Sequence, residues 1–266
     1  MQIRDIVSAY FSPTGTTRKI INAIVRGMGK VNEKTMDLTL SRDASQQFPV
    51  FKDELVILGA PVYSGRLPAE AVKRLSKLKG DNTPAVVVVV YGNREFEDAL
   101  LELRNLAVEQ GFIPVAGAAF IGEHSYTSPE TPIAEGRPEK EDIAGAEDFG
   151  KRIIKKLSSV KNPDKTAAVD VPGNFPYKDA MPRTDDCARS DMDKCTYCST
   201  CVTVCPTDAI TPDDYYSTDP KLCIMCCACV KICPEDARYI DSTRIKQISK
   251  WLSENCATPK QPQIFI

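Results

Sequence analysis

The chain has 266 residues, with 34 basic and 36 acidic side chains, a formal net charge of −2 and 42% hydrophobic residues. This composition excludes wholesale disorder, and the charge balance argues against a nucleic-acid-binding protein. No apolar stretch approaches the roughly 18 residues that a membrane span needs. Asp5 stands where a signal peptide would keep an apolar core, so we expect a soluble, cytoplasmic protein without membrane partners.

Residues 1–160 alternate strand-like and helix-like patterns, which predicts an α/β domain with a parallel sheet and crossover helices. The fourth predicted strand is almost continuous valine, as is typical of a central strand that is covered on both faces. The predicted strands span residues 3–9, 35–38, 55–63, 85–91 and 112–121. Apolar residues at helical spacing predict helices near residues 20–28, 68–78, 96–107 and 143–157.

The remainder of the chain divides into three parts. Residues 161–185 carry four prolines and no periodicity, so we expect a semi-extended linker. Residues 186–240 are rich in cysteine and form a second domain. Residues 241–266 form a C-terminal helix, near residues 243–255, and a tail, and we expect that helix to dock on one of the two domains.

The cysteines are distributed very unevenly. Of the 11 cysteines, none precedes position 187 and ten lie between positions 187 and 233. In a chain without a signal peptide, such density indicates metal or cluster binding ahead of disulfides.

Two cysteine runs have the same spacing and are separated by a constant offset, which indicates an internal duplication. Each run reads C-x2-C-x2-C-x3-C-P, the bacterial spacing that ligates two [4Fe–4S] clusters. Paired zinc sites do not predict the proline tail, and disulfides need an oxidising compartment. The fourth cysteine of each run is displaced and is expected to ligate the other cluster. Cluster 1 is thus assigned to Cys195, Cys198, Cys201 and Cys233, and cluster 2 to Cys223, Cys226, Cys229 and Cys205.

At these residues, over about 55 positions, the region resembles the bacterial two-cluster ferredoxins, which are small α+β domains. Cys187, Cys227 and Cys256 are left over, and small apolar filler is the simplest interpretation of each. Cys227 adjoins a predicted ligand and could tune the neighbouring cluster through packing.

The first strand leads into a loop of hydroxyl side chains that opens the first helix. Backbone N–H groups and the helix dipole at such a site favour a phosphate, and hydroxyls supply further donors. The alternative is a Ser/Thr capping turn that binds nothing. The candidate phosphate-binding residues are Ser12, Thr14, Gly15, Thr16 and Thr17.

Two more loops leave the third and fourth strands at the same sheet edge, where open parallel sheets bind their ligands. Each loop carries a tyrosine that could stack on a flat ring, a glycine, and an arginine that could balance negative charge. The alternatives are rim packing for the tyrosines and surface ion pairs for the arginines. The candidate residues are Pro61, Val62, Tyr63, Ser64, Gly65 and Arg66, and Tyr91, Gly92, Asn93 and Arg94.

At Ser12, Thr14, Gly15 and Thr17 the domain resembles flavodoxin, whose phosphate loop reads Ser-x-Thr-Gly-x-Thr. The resemblance implies bound FMN and a doubly wound sheet of strand order 2-1-3-4-5. With the cysteine repeat, the chain resembles the flavodoxin–ferredoxin fusion proteins of anaerobic bacteria and archaea. No tryptophan lies in either ring-flanking loop, so whether Tyr63 or Tyr91 stacks on the flavin stays open.

The long segment that starts near Gly122 could cover the flavin edge or contact the second domain. It contains His124, the only histidine of the chain, which is the one candidate for titration near neutral pH or else an ordinary loop residue.

Two functions fit these features. The first is an electron carrier that passes electrons between two [4Fe–4S] clusters and FMN in low-potential anaerobic metabolism. The second is a flavin-dependent reductase of a small molecule, fed by the clusters. We find no catalytic triad or nicotinamide fingerprint, so no catalytic residue is assigned.

Residues 186–240 hold 9 acidic and 5 basic side chains, which suits docking to a basic patch of a redox partner protein. The sequence also leaves open a homodimer with transfer between subunits.

Overall fold

The computed structural model describes residues 5–41, 48–159, 168–211 and 217–266. Residues 3 and 4 of the first predicted strand and the start of the predicted linker, residues 161–167, lie outside the described part. In chain order the elements are β1 (Asp5–Tyr10), α1 (Thr16–Met28), β2 (Asn32–Asp37), β3 (Val50–Phe51), β4 (Leu55–Pro61), α2 (Ala69–Leu75), β5 (Lys79–Gly80), β6 (Thr83–Tyr91), α3 (Ala99–Glu109), β7 (Phe112–Ile121), α4 (Lys140–Ser159), β8 (Ala188–Ser190), α5 (Thr200–Thr203), α6 (Ala228–Ile232), β9 (Arg238–Ile240), α7 (Thr243–Asn255) and β10 (Gln263–Phe265). Within the described part of the chain, no helix is long and apolar enough to cross a membrane.

The main sheet has the order β2-β1-β4-β6-β7-β10. Its first five strands are parallel, and in the order of their appearance they read 2-1-3-4-5. This confirms the flavodoxin-like, doubly wound α/β fold expected from the sequence. The carboxyl ends of β1, β4 and β6 consequently lie at one edge, which brings the three candidate loops together.

The valine run of β6 is fully covered, because side chains that alternate along a strand face two different helix layers. Val86, Val88 and Val90 pack in one core with residues of α1 and α4, such as Ile24 and Phe149. The intervening side chains of β6 pack in the other core with residues of α2 and α3. Burial on both faces explains why the strand lacks any polar alternation.

The sheet gains a sixth strand that the sequence analysis did not anticipate. β10 pairs antiparallel with β7, and Ile264 lies opposite Ala118. β10 therefore occupies the edge that β7 would otherwise expose, while β2 forms the opposite edge and is mostly exposed, which accounts for its weak apolar pattern.

The described part of the predicted linker runs along the first domain and is fastened to it. The N–H of Val169 donates to the carbonyl of Pro114 at 2.7 Å. The carboxylate of Asp98 accepts from the backbone N–H groups of Asn174 at 2.8 Å and Lys178 at 2.7 Å. This segment is thus held at β7 by Val169 and at the start of α3 by Asn174 and Lys178.

The second domain is a compact pair of repeats, closed by antiparallel pairing of β8 with β9. It docks against the first domain through side chains of both. Lys231 on α6 forms an ion pair with Glu123. The buried guanidinium of Arg74 on α2 donates to the carbonyl of Pro206, and the hydroxyl of Ser41 donates to Asp208. These contacts fix the cysteine-rich loops beside the carboxyl edge of the sheet.

Candidate flavin site and cluster cavities

The loop between β1 and α1 has the geometry of an anion site. Gly15 adopts a left-handed backbone with φ of 81° and precedes the first helical residue. The Ser12 hydroxyl accepts a hydrogen bond from the N–H of Arg18 at 3.1 Å, which folds the loop over the helix start. The hydroxyl oxygen of Thr17 is buried and has no hydrogen-bond partner among the described residues. A buried hydroxyl without a partner is rare in folded proteins, and a ligand oxygen would satisfy it.

A cavity of about 450 Å³ lies at the carboxyl edge of the sheet. Its volume is in the usual range for a small-molecule site. Nine of the residues predicted to bind the cofactor line it: Thr14, Thr16, Pro61, Val62, Tyr63, Ser64, Arg66, Tyr91 and Gly92. The phosphate loop and both ring loops therefore converge on one space.

The loop after β4 is a tight hairpin. Tyr63 and Arg66 exchange backbone hydrogen bonds of 2.9 and 3.1 Å, and the two residues between them, Ser64 and Gly65, have φ of 53° and 83°. A Cβ on Gly65 would lie 1.6 Å from a carboxylate oxygen of Glu97, so this turn requires glycine. Gly65 acts as a turn residue and does not line the cavity.

The predicted arginines are already engaged by carboxylates. Arg66 donates two hydrogen bonds to Glu102, at 2.8 and 2.9 Å, and its guanidinium lies 4.8 Å from the ring centre of Tyr177. Arg94 pairs with Glu97 at 3.0 Å. Both arginines therefore form the ion pairs that were the alternative in the sequence, and Arg66 also borders the cavity. That they balance cofactor charge stays a prediction.

The side chain of Asn93 makes structural contacts, and the cofactor contact expected at this position stays a prediction. Its side-chain amide donates to the carbonyls of Cys256 at 2.6 Å and Thr258 at 2.9 Å, and its oxygen accepts from the N–H of Lys260 at 2.9 Å. The side chain thus anchors the segment between α7 and β10. Its position after β6 did not reveal this role, because the partners lie far away along the sequence.

The two candidate tyrosines differ in their surroundings. The Tyr91 ring is 3% exposed and packs against Phe96 with 5.5 Å between ring centres. Burial raises its pKa to about 12. Burial also raises the pKa of Tyr63 well above its usual value, and the neighbouring Cys226 and Cys227 raise it further. Both tyrosines line the cavity, and Tyr63 lies where Cys223 and Ile224 of the cysteine-rich domain border it.

His124 lies in the cavity wall, beside the loop after β6. A Cβ on Gly92 would lie 2.3 Å from the imidazole, so glycine there makes room for it. The ring packs edge-on against Tyr126, and Nδ1 accepts the N–H of Tyr126 at 3.0 Å. Burial lowers the pKa of His124 to about 4, and the charges of Lys231 and Arg94 act in the same direction. The imidazole is neutral at neutral pH.

The far wall of the cavity comes from parts of the chain that the sequence analysis did not connect with the flavin. Cys223, Ile224 and Met225 of the second repeat line it, together with residues of the docked linker and Arg244 on α7. The hydroxyl of Ser64 donates to the Met181 sulfur at 2.8 Å, which ties the linker to the hairpin. A predicted cluster ligand, Cys223, thus borders the space that the flavin-type loops enclose.

Two smaller cavities are lined by the cysteines in the groups that the spacing predicts. One is lined by Cys205, Cys223, Cys226 and Cys229, and by Cys227 as a fifth cysteine, and the other by Cys195, Cys198, Cys201 and Cys233. Among the described residues, no three His, Cys, Asp or Glu side chains converge as they would on a single metal ion. Four thiols around a cavity form the donor set that a cubane requires, so the residues fit this cofactor.

The duplication is visible in the backbone. Tyr197 and Ser199 have φ of 59° and 62°, and their counterparts Met225 and Cys227 have φ of 54° and 61°. The Cys205 sulfur accepts the N–H of Ala209 at 3.3 Å, and the second repeat has the same contact at the same distance. Cys227 therefore occupies the position of Ser199, outside the predicted ligand set, although it borders the same cavity; its thiol lies 3.6 Å from the Met225 carbonyl.

The comparisons with known proteins agree with a separate cysteine-rich domain built from two repeats. Residues 188–211 and 216–239 match the family model of the 4Fe-4S binding domain. The strand order is that of a flavodoxin-like fold, and the cysteine-rich domain is similar to the 4Fe-4S binding domain. The succession of these two parts along the chain is consistent with a flavodoxin–ferredoxin fusion. No protein of curated function matches the sequence.

Several solved structures are similar to the first domain. A flavodoxin from the domain Archaea is 14% identical, with a TM-score of 0.37 over 58% of this chain and 99% of that one. Flavodoxin 2 from Bacillus cereus is 18% identical, with a TM-score of 0.40 over 57% and 99%. The rubredoxin oxygen:oxidoreductase from Desulfovibrio gigas is 15% identical, with a TM-score of 0.41, over 60% of this chain and 38% of that one.

Proposed function

We propose that this protein is an electron carrier that passes electrons between FMN and two [4Fe–4S] clusters in low-potential anaerobic metabolism. FMN exchanges one or two electrons and each cubane exchanges one, so their combination links two-electron donors to one-electron carriers. The observation that supports this most directly is the shared wall: Cys223 borders both the flavin-type cavity and the cavity that holds all four predicted ligands of cluster 2.

The cofactors are assigned to residues on the following grounds. FMN would lie in the large cavity, with its phosphate at Thr14 and Thr16, which line the cavity, and at the buried hydroxyl of Thr17 in the same loop. The absence of a second nucleotide motif in the sequence favours FMN over FAD. Cluster 1 would be held by Cys195, Cys198, Cys201 and Cys233, and cluster 2 by Cys223, Cys226, Cys229 and Cys205.

The exposure of the two cysteine groups suggests the order of transfer. Cys226 in the cluster 2 group is buried, and that group adjoins the flavin-type cavity. Cys198 in the cluster 1 group is exposed, as is its neighbour Tyr197. Electrons would therefore pass from FMN to cluster 2 and then to cluster 1, or the reverse, and a redox partner would exchange electrons at cluster 1. The excess of acidic residues in this domain suits a partner with a basic patch.

Anaerobic purification with quantification of flavin, iron and sulfide tests the assignment. We expect one FMN per chain with about eight irons and eight sulfides, as two cubanes require. Protein that holds four irons or fewer, zinc in their place, or FAD would contradict the proposal. Saturable turnover of one small molecule, in place of exchange with ferredoxins and viologen dyes, would favour a flavin-dependent reductase.

A further inference from the structure

Arg238 is a buried arginine placed between the two cysteine cavities. It opens β9, two residues after a left-handed turn at Asp236, and is only 4% exposed. The corresponding residue of the first repeat is Ile210, which is buried in the wall of the cluster 2 cavity. The second repeat thus carries a permanent positive charge where the first repeat carries an apolar side chain.

The guanidinium is held from both sides. It lines the cavity of the cluster 1 cysteines. It donates hydrogen bonds to the Thr218 hydroxyl at 2.5 Å and the Ala188 carbonyl at 3.2 Å, two residues that line the cavity of the cluster 2 cysteines. A third bond, of 2.7 Å to the hydroxyl of Ser190, fixes it to β8. One charge is therefore positioned rigidly beside both cavities.

The two cysteine groups lie close to this one guanidinium. Cys201 of the cluster 1 group lines the same cavity as Arg238. Cys229 of the cluster 2 group lines the other cavity together with Ala188 and Thr218, the two residues to which Arg238 donates hydrogen bonds.

We propose that Arg238 raises the reduction potentials of both clusters together. A cubane held by four thiolates is anionic and gains a further negative charge on reduction. A fixed cation nearby therefore stabilises the reduced form more than the oxidised form, and net charge and hydrogen bonds to sulfur are known determinants of cluster potential. Because one guanidinium serves both sites, its removal shifts both potentials in the same direction. This inference rests on the proposed function, because it requires both clusters to bind.

Redox titration of the anaerobically reconstituted full chain, followed by EPR, tests the proposal. Arg238→Gln and Arg238→Ile remove the charge, and isoleucine is the residue that the first repeat has at this place. Arg238→Lys keeps the charge. Arg189→Gln is the matched control, because it removes an exposed charge from the adjacent strand β8.

In each neutral variant that still binds about eight irons, we expect the midpoint potentials of both clusters to be lower than in the wild type. The midpoint potentials of Arg238→Lys should lie between those of the neutral variants and those of the wild type. The potentials of the control Arg189→Gln should equal those of the wild type. Unchanged potentials in a neutral variant with eight irons, or a shift of one cluster alone, would overturn the proposal. If neither neutral variant binds eight irons while the lysine variant does, Arg238 serves assembly and the tuning role is wrong. Wild-type protein with four irons or fewer would instead refute the proposed function.

Discussion

The hydroxyl of Thr17 is buried without a partner among the described residues, at the start of the helix that follows the phosphate-type loop. Thr17→Val removes only this hydroxyl and preserves the shape of the side chain. We expect the variant to fold normally, and to bind FMN more weakly by about 1–3 kcal/mol, the value of a hydrogen bond to a charged acceptor. Titration of FMN into the flavin-free protein, followed by flavin fluorescence, measures the effect.

Thr35→Val is the control for this change, because it removes an exposed hydroxyl from β2. Its FMN affinity should equal that of the wild type. Equal affinities in Thr17→Val and wild type would show that the phosphate does not reach Thr17.

The titration of His124 tests whether its imidazole is buried in the wall of the cavity. Its folded-state pKa of about 4 lies below the unfolded value near 6.5, because burial disfavours the imidazolium. The neutral form of His124 is therefore fully compatible with the folded state above pH 6.5. As the pH falls towards 4, the unfolded state binds a proton at this histidine more readily than the folded state does, so the free energy of unfolding decreases. As the chain has one histidine, NMR of histidine-labelled protein should show a neutral imidazole down to pH 5.

An exposed histidine introduced by Lys34→His should titrate near 6.5 in the same sample and serves as the internal control. Titration of His124 itself near 6.5 would mean that the imidazole is open to solvent.

Among the helices and strands, the sequence predicted those whose apolar residues follow a regular local pattern. The bounds of β7 and α7 follow from the apolar run and from the helical spacing of Ile245, Ile248 and Leu252. β10 was missed because so short a strand carries no periodicity, and it forms only where the tail meets the edge of β7. The structure of the tail depends on Asn93, which sequence reasoning had placed at the cofactor.

Asn93→Ala should release this tail. The change removes three hydrogen bonds to the segment before β10, each worth about 1 kcal/mol, so we expect a loss of about 2–3 kcal/mol in the free energy of unfolding. Amide exchange should accelerate at Gln263–Phe265. Asn255→Ala is the control, because the Asn255 amide bonds only within α7, to the carbonyl of Trp251. Unchanged exchange in Asn93→Ala would refute the anchoring role.

The repeat makes a second prediction at this scale, since Cys226 and Cys227 are adjacent but have different counterparts. Cys226 corresponds to the predicted ligand Cys198, whereas Cys227 corresponds to Ser199. We therefore expect Cys226→Ser to reduce the iron content by about four per chain and Cys227→Ser to leave about eight. Loss of a cluster from Cys227→Ser, with Cys226→Ser fully loaded, would reverse the ligand assignment.

At the scale of the whole molecule, the sequence supplied both domains but not their arrangement. Cysteine spacing and strand patterns are local, whereas the meeting of the hairpin at Tyr63 with the loop at Cys223 depends on docking between distant parts of the chain. The ion pair of Lys231 with Glu123 contributes to that docking. Burial acts to raise the pKa of Glu123, but hydrogen bonds from Lys231 and the Gly136 N–H hold it below its usual value. Neither partner was distinguishable from a surface charge in the sequence.

In the proposed carrier, the flavin and the clusters of one chain exchange electrons directly, and the rate of that exchange tests the proposal. Stopped-flow mixing of the oxidised full-length protein with a limiting one-electron reductant should reduce the exposed cluster first and then form flavin semiquinone. We predict that the rate constant of this second phase stays unchanged when the protein is diluted a hundredfold, because the cluster 2 loop already lines the flavin cavity of the same chain. A second phase whose rate rises in proportion to protein concentration would contradict the account and place the transfer between separate molecules.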